Sequence, residues 1–120
     1  MNARLFKNVA FVMYPVKDVK KARSFYEDGL GLAVTASWEN QWVEYDIGDG
    51  TLAISQADEK HRAGAHGATI ALEVAEMDRV LAHLKSKAVP ILSGPHDSKA
   101  CCCYVIQDPD ENEIILHAKK

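Results

Sequence analysis

The sequence predicts an α+β domain in which one strand–helix–three-strand unit occurs twice. Three observations carry this. A shift that lays Phe11 on Thr69 sets the alternating apolar stretch 11–18 on 69–76, and each copy ends in an acidic residue, Asp18 or Glu76, that opens a helical pattern. A second shift, laying Asp46 on Asp108, superposes two turns, 46–50 and 108–112, each followed by a short apolar strand. The two shifts nearly agree, so the halves differ by one somewhat longer loop in the second. Matching halves at this distance indicate a duplicated supersecondary unit, because solenoid repeats are shorter.

The elements follow in order. Residues 8–14 alternate as a strand, and Pro15 suits its end better than its middle. Asp18 can cap a helix over 18–28 whose apolar stripe is Ala22, Phe25 and Tyr26, with Gly29 and Gly31 punctuating its end. Strands are expected at 33–38, 41–47 and 51–56, the last two joined by an Asp49-Gly50 hairpin signal. Residues 58–66, rich in charge, Gly and His, form the linker between modules of about 1–57 and 67–120. In the second module 69–74 is a strand and 77–87 a helix with Val80, Leu81 and Leu84 inward. Strands near 89–92, 101–107 and 113–118 complete it; Pro90 makes the first of these an edge strand or a short piece.

Composition bounds the function. The chain has 120 residues and a formal net charge of -3, with scattered Lys and Arg, which argues against nucleic acid as a partner. The grouped Lys17, Lys20 and Lys21 read as a solvated helix face. No apolar run reaches the roughly 20 residues of a membrane span, and residues 1–8 lack the apolar region of a secretory signal; a cytoplasmic protein is expected. Cys101, Cys102 and Cys103 form neither a disulfide framework nor a paired zinc motif. Strand neighbours point to opposite faces, so the three cannot all reach one ion, and one thiol faces whatever the other two do not. Their role stays open.

The segment Phe25-Tyr26-Glu27-Asp28-Gly29-Leu30-Gly31-Leu32, preceded by Val16-Lys17-Asp18, and the later Asp108-Pro109-Asp110-Glu111-Asn112-Glu113-Ile114 carry a resemblance to a known family. With two such modules, the whole chain resembles the vicinal-oxygen-chelate superfamily, which contains glyoxalase, bleomycin-resistance proteins and extradiol dioxygenases. One departure is Glu111, where the family usually has Gly, and an altered turn geometry is expected there. The resemblance implies paired βαβββ modules whose sheets roll into a cup, helices outside, and it favours a homodimer. Where the cup is metal-dependent, the resemblance places ligands on the first and last strands of each module, which fall on Phe11, Ala53, Thr69 and Ile115. Three of these side chains lack a donor atom and Thr is a poor ligand alone, so neither the usual metal nor another cofactor is expected.

Of the five histidines, His61 and His66 fall in the linker, His83 on the exposed side of a helix and His96 in a Gly94-Pro95-His96-Asp97 turn. His117 differs: it shares strand parity with Ile115, and Glu73 shares it with Thr69. The alternation gives a cleft lining of Phe11, Met13, Ala53, Ser55, Thr69, Ala71, Glu73, Ile115 and His117. Val43, Tyr45 and Ile47 read as the helix-facing set, which adds Trp42 and Glu44 to the cleft, with Trp38 at the strand end. Such a lining is the usual form of a small-molecule site, and Trp with Glu suits an aromatic or cationic ligand. The pattern resembles the metal-free antibiotic-binding branch, and the expected function is metal-independent sequestration of a small molecule. The alternative is a lyase, isomerase or dioxygenase-type enzyme that uses Glu73 and His117 as acid and base, or a non-standard metal site.

Overall fold

Alternating apolar residues give each half of the chain a sheet with one face to bury. The computed structural model describes residue 5, residues 9–64 and residues 66–120. The first half forms β1 (Val12–Val16), α1 (Val19–Arg23), β2 (Ala33–Trp38), β3 (Trp42–Asp46) and β4 (Thr51–Gln56). The second forms β5 (Ile70–Glu73), α2 (Met77–Ser86), β6 (Ser93–Asp97), β7 (Cys101–Gln107) and β8 (Glu113–Lys119). Each half makes its own four-stranded sheet, in the orders β1-β4-β3-β2 and β5-β8-β7-β6. The β1–β4 and β5–β8 pairs are parallel and the other pairs antiparallel, so the two sheets repeat one topology. This is the α+β architecture of two βαβββ modules that the repeat predicted.

Asp18 caps α1 as expected, its Oδ1 accepting from Lys21 N at 3.2 Å. After Arg23 the helix widens into a π-helical turn over Ser24–Gly29, which the apolar pattern did not signal. Gly31 then takes the left-handed conformation that Gly adopts at low cost (φ +74°).

Two expectations need correction. The first strand begins at Val12, so Phe11 precedes it, and Pro15 lies inside it, paired with Ser55. Pro is tolerated there because β1 is the outer strand of its sheet, where one side of the backbone has no ladder to join. (Asn8, the expected start, lies outside the described residues, as does Ala65 of the linker.) The strand expected at 89–92 instead spans Ser93–Asp97 and includes the Gly-Pro-His-Asp segment read as a turn. That strand is also an edge, its pairing with β7 is interrupted between Ser93 and His96, and Pro95 falls in the interruption. Glu111 adopts φ +68°, the left-handed geometry that Gly takes readily.

Both sheets and both helices share one core. Val16, Val19, Tyr26, Tyr45, Leu52 and Ile54 from the first half pack with Leu84, Val89, Ile106, Ile114 and Leu116 from the second. Polar bonds also cross between the halves. The Tyr14 hydroxyl donates to the Glu113 carbonyl (2.7 Å) and accepts from Ile70 N (2.5 Å), tying β1 to β8 and β5. Buried Asp108 organises the second turn: Oδ1 accepts from Asp110 N and Asn112 N, and Oδ2 from Asn112 Nδ2, each at 2.9 Å. Oδ2 also accepts from the Tyr26 hydroxyl at 2.8 Å, while Asn112 Nδ2 reaches the Pro15 carbonyl at 2.8 Å. No helix among the described residues is long and apolar enough to cross a membrane.

Candidate functional site

With one face of each sheet committed to the core, the opposite face carries every remaining strand side chain. On the first sheet the register sets Met13, Ala53, Glu44 and Ala36 in one row, and Pro15, Ser55, Trp42 and Trp38 in the next. Val43 and Tyr45 point the other way and are fully buried. Phe11 lies just before β1, and its ring meets Trp42 edge-on with centroids 5.2 Å apart. Trp42 Nε1 donates to Glu44 Oε2 at 2.9 Å, so a carboxylate is held against the aromatic pair. Phe11 is 46% exposed and Trp38 56%, whereas Ala53 is fully buried.

On the second sheet the rows are Ala71, Ile115 and Val105, then Glu73, His117 and Cys103. Glu73 Oε1 lies 2.6 Å from His117 Nδ1, and Glu73 Oε2 accepts from Lys119 N at 2.8 Å. The backbone N–H of Lys119 and then the His117 ring hold the Glu73 carboxyl below its ordinary range. The Glu73 hydrogen bond in turn raises the His117 pKa, favouring imidazolium. Cys101 and Cys103, two apart on β7, share this face as alternation requires, with Sγ atoms 3.7 Å apart. The contact with Cys103, and then that with Ser98, lowers the Cys101 pKa; desolvation raises that of Cys103.

The structure therefore sorts the expected lining onto two faces, one per sheet. Phe11, Met13, Trp38, Trp42, Glu44, Ala53 and Ser55 belong to the first, and Ala71, Glu73, Ile115 and His117 to the second. Thr69 immediately precedes β5 and is exposed. No strand of one sheet pairs with the other among the described residues. Cavities open beside parts of this lining. One of about 500 Å³ is lined by Leu30, Ile47, Leu72, Glu73, Val80 and Leu116; another of about 270 Å³ opens beside Met13, Tyr14, His61, His66 and Thr69.

Of the other histidines, His83 is exposed as expected, yet its Nε2 contacts the Gly29 carbonyl at 3.1 Å across the two halves. His96 lies on β6 rather than in a turn. Sequence reasoning missed the approach of Cys101 and Cys103 to His117. The signal was present, since residues two apart on β7 share a face and Cys103 pairs with His117, but the pairing of β7 with β8 had to be known first.

The sequence profile of the Glyoxalase/Bleomycin resistance protein/Dioxygenase superfamily matches residues 8–116. The chain belongs to that superfamily. It is 29% identical over 118 residues to the uncharacterized protein YraH of Bacillus subtilis (strain 168), covering 85% of this chain and 91% of that one. Among solved structures it resembles TnmS3, an antibiotic binding protein from Streptomyces sp. CB03234, with a TM-score of 0.84 at 22% identity, covering 98% of this chain and 100% of the other. It also resembles lactoylglutathione lyase from Agrobacterium tumefaciens, with a TM-score of 0.76 at 19% identity and 96% of each chain covered. A binding protein and a lyase share this superfamily fold, so the activity of the present member must be read from its own site.

Proposed function

We propose that this superfamily member binds an aromatic or cationic small molecule on the outer face of its first sheet, without the chelating ion of metal-dependent relatives. The observation that carries the reading is the Phe11–Trp42–Glu44 arrangement. Two rings in edge contact with a carboxylate hydrogen-bonded to the indole offer a stacking surface of negative character. Phe11, Ala53, Thr69 and Ile115 stand where the chelators of metal-dependent relatives are expected, and three of them have no donor atom. The likeness to an antibiotic binding protein is in keeping with sequestration rather than turnover.

A second copy of the chain completes the site in this reading. The radius of gyration is 15.1 Å, against about 13.6 Å for a compact domain of this length. The molecule measures 50 × 39 × 25 Å and leaves Phe11 and Trp38 largely open to water. Exposed apolar surface of this kind marks an interaction site, and pairing the two faces across a homodimer encloses a cup that neither face forms alone.

The test is a titration of metal-stripped protein with a planar acridinium dye, alongside an anionic dye of similar size. The cation should quench tryptophan fluorescence and raise the melting temperature by mass action. Trp42→Ala should weaken it about five- to thirtyfold, given roughly 1–2 kcal/mol for a desolvated cation–π contact. Equal binding of both dyes, or unchanged binding to a folded Trp42→Ala protein, refutes the reading. Light scattering should give a dimer; a monomer with undiminished affinity removes the second copy from it.

A further inference from the structure

We propose that Cys101, Cys103 and His117 form a binding site for a zinc-class divalent ion on the outer face of the second sheet, separate from the superfamily's chelating positions. Among the described residues, these three are the group of His, Cys, Asp or Glu side chains whose donor atoms converge, all within 4.8 Å of one another. They converge for a definite reason. Cys101 and Cys103 are two apart on β7, and His117 on β8 is the register partner of Cys103.

The geometry fits the ion. Thiolates bind zinc at about 2.3 Å, so two of them on one tetrahedral centre stand about 3.8 Å apart. The two sulfurs lie 3.7 Å apart before any metal arrives. Glu73 supplies the outer support that such sites use, holding His117 Nδ1 at 2.6 Å and leaving Nε2 as the nitrogen free to coordinate. Glu73 is itself fixed by Lys119 N, so the ring has little freedom to turn. Two thiolates and an imidazole form a soft to borderline donor set, which selects zinc over magnesium or calcium. His96, opposite Cys103 on β6, is engaged by the Ser93 hydroxyl at 3.0 Å. Three protein ligands therefore leave the fourth coordination position for water or an exogenous donor, the arrangement of zinc sites that act on a ligand. Cys102 points to the opposite face and takes no part.

The experiment uses reduced, chelator-stripped protein titrated anaerobically with Co²⁺, a chromophoric stand-in for zinc. The result expected is a thiolate-to-cobalt charge-transfer band with intense tetrahedral d–d bands, saturating at one equivalent per chain and bleached by Zn²⁺. Cys101→Ser and Cys103→Ser should each abolish or strongly diminish the charge-transfer band, and Cys102→Ser should leave it intact. Glu73→Gln should weaken affinity tenfold to a hundredfold while preserving the spectrum. Circular dichroism of each metal-free variant establishes that it is folded. Absence of the band in the wild type, or an unchanged band in Cys103→Ser, overturns the assignment. Because the dye titration uses stripped protein, either proposal can fail while the other stands.

Discussion

Replacing Tyr26 by Phe tests whether the buried Asp108 network joins the two halves. The Tyr26 ring is fully buried, and its hydroxyl donates to Asp108 Oδ2 at 2.8 Å across the module boundary. Burial, then the neighbouring Asp108 carboxylate, push the phenol far above its ordinary range, so it remains an O–H donor at any working pH. The substitution removes one of four donors around Asp108 and leaves three in place, with almost no change in volume. The loss is then one hydrogen bond to a charged group, about 1.5–3 kcal/mol. For a chain of this length the unfolding entropy is about 0.25 kcal/mol/K, so the melting temperature should fall by roughly 6–12 °C. Tyr45→Phe is the internal comparison. Tyr45 stacks on Tyr26, but its hydroxyl donates at 2.9 Å to Glu27, a residue also held by Arg23 and partly exposed to water. Its loss should be smaller, below about 1 kcal/mol. Differential scanning calorimetry and urea unfolding measure both. A Tyr26→Phe protein within about 0.5 kcal/mol of wild type, or indistinguishable from Tyr45→Phe, refutes the claim that Asp108 depends on the donor from the first half.

Three further outcomes follow from individual positions. Glu111→Gly should stabilise the protein by about 1 kcal/mol in urea unfolding, because Glu111 holds a left-handed conformation at φ +68° that Gly adopts without strain. Gly94→Ala should destabilise by more than about 1 kcal/mol on thermal unfolding, since φ is +118° and an added Cβ would meet the Cys103 carbonyl oxygen at 2.9 Å. Glu27 gives a pH signature. Burial pushes its carboxyl up, but hydrogen bonds from Arg23 and Tyr45 prevail and lower it below its ordinary value of 4.5. The stability it contributes is present above that value and is lost as pH falls through the lower folded value. Wild type should therefore lose stability faster than Glu27→Gln as pH drops below about 4.5, and parallel acid limbs in equilibrium unfolding would contradict this.

The fold was legible because period-two alternation and the duplicated turns act locally. The β4 and β7 ranges come out as read, and α2 ends one residue early. Alternation also fixed which face each strand residue takes, since a one-residue slip would expose Val43 and Tyr45 and bury Glu44. What failed depended on non-local facts. Pro15 sits inside β1 because β1 is an edge strand, and edge status is a property of the assembled sheet; the second module's first hairpin strand forms at Ser93–Asp97. The convergence of Cys101, Cys103 and His117 needed the β7–β8 register, which one strand cannot supply.

The two outer faces divide the chemistry between them, and the division follows from the shared core. Since both sheets turn their aliphatic residues to the same interior, each outer face could take its own side chains without loss of core packing. The first face holds aromatic rings and one carboxylate; the second holds thiols, an imidazole and the carboxylate that fixes it. The ligand proposed for Trp42 and the metal proposed for Cys103 would make different demands on pH and redox state. In a homodimer that apposes the faces, the open coordination position of the second would look onto the aromatic wall of the first. Dye affinity measured with and without bound Zn²⁺ then reports the coupling directly: a change means that one enclosed site uses both faces, and no change means that the faces act independently.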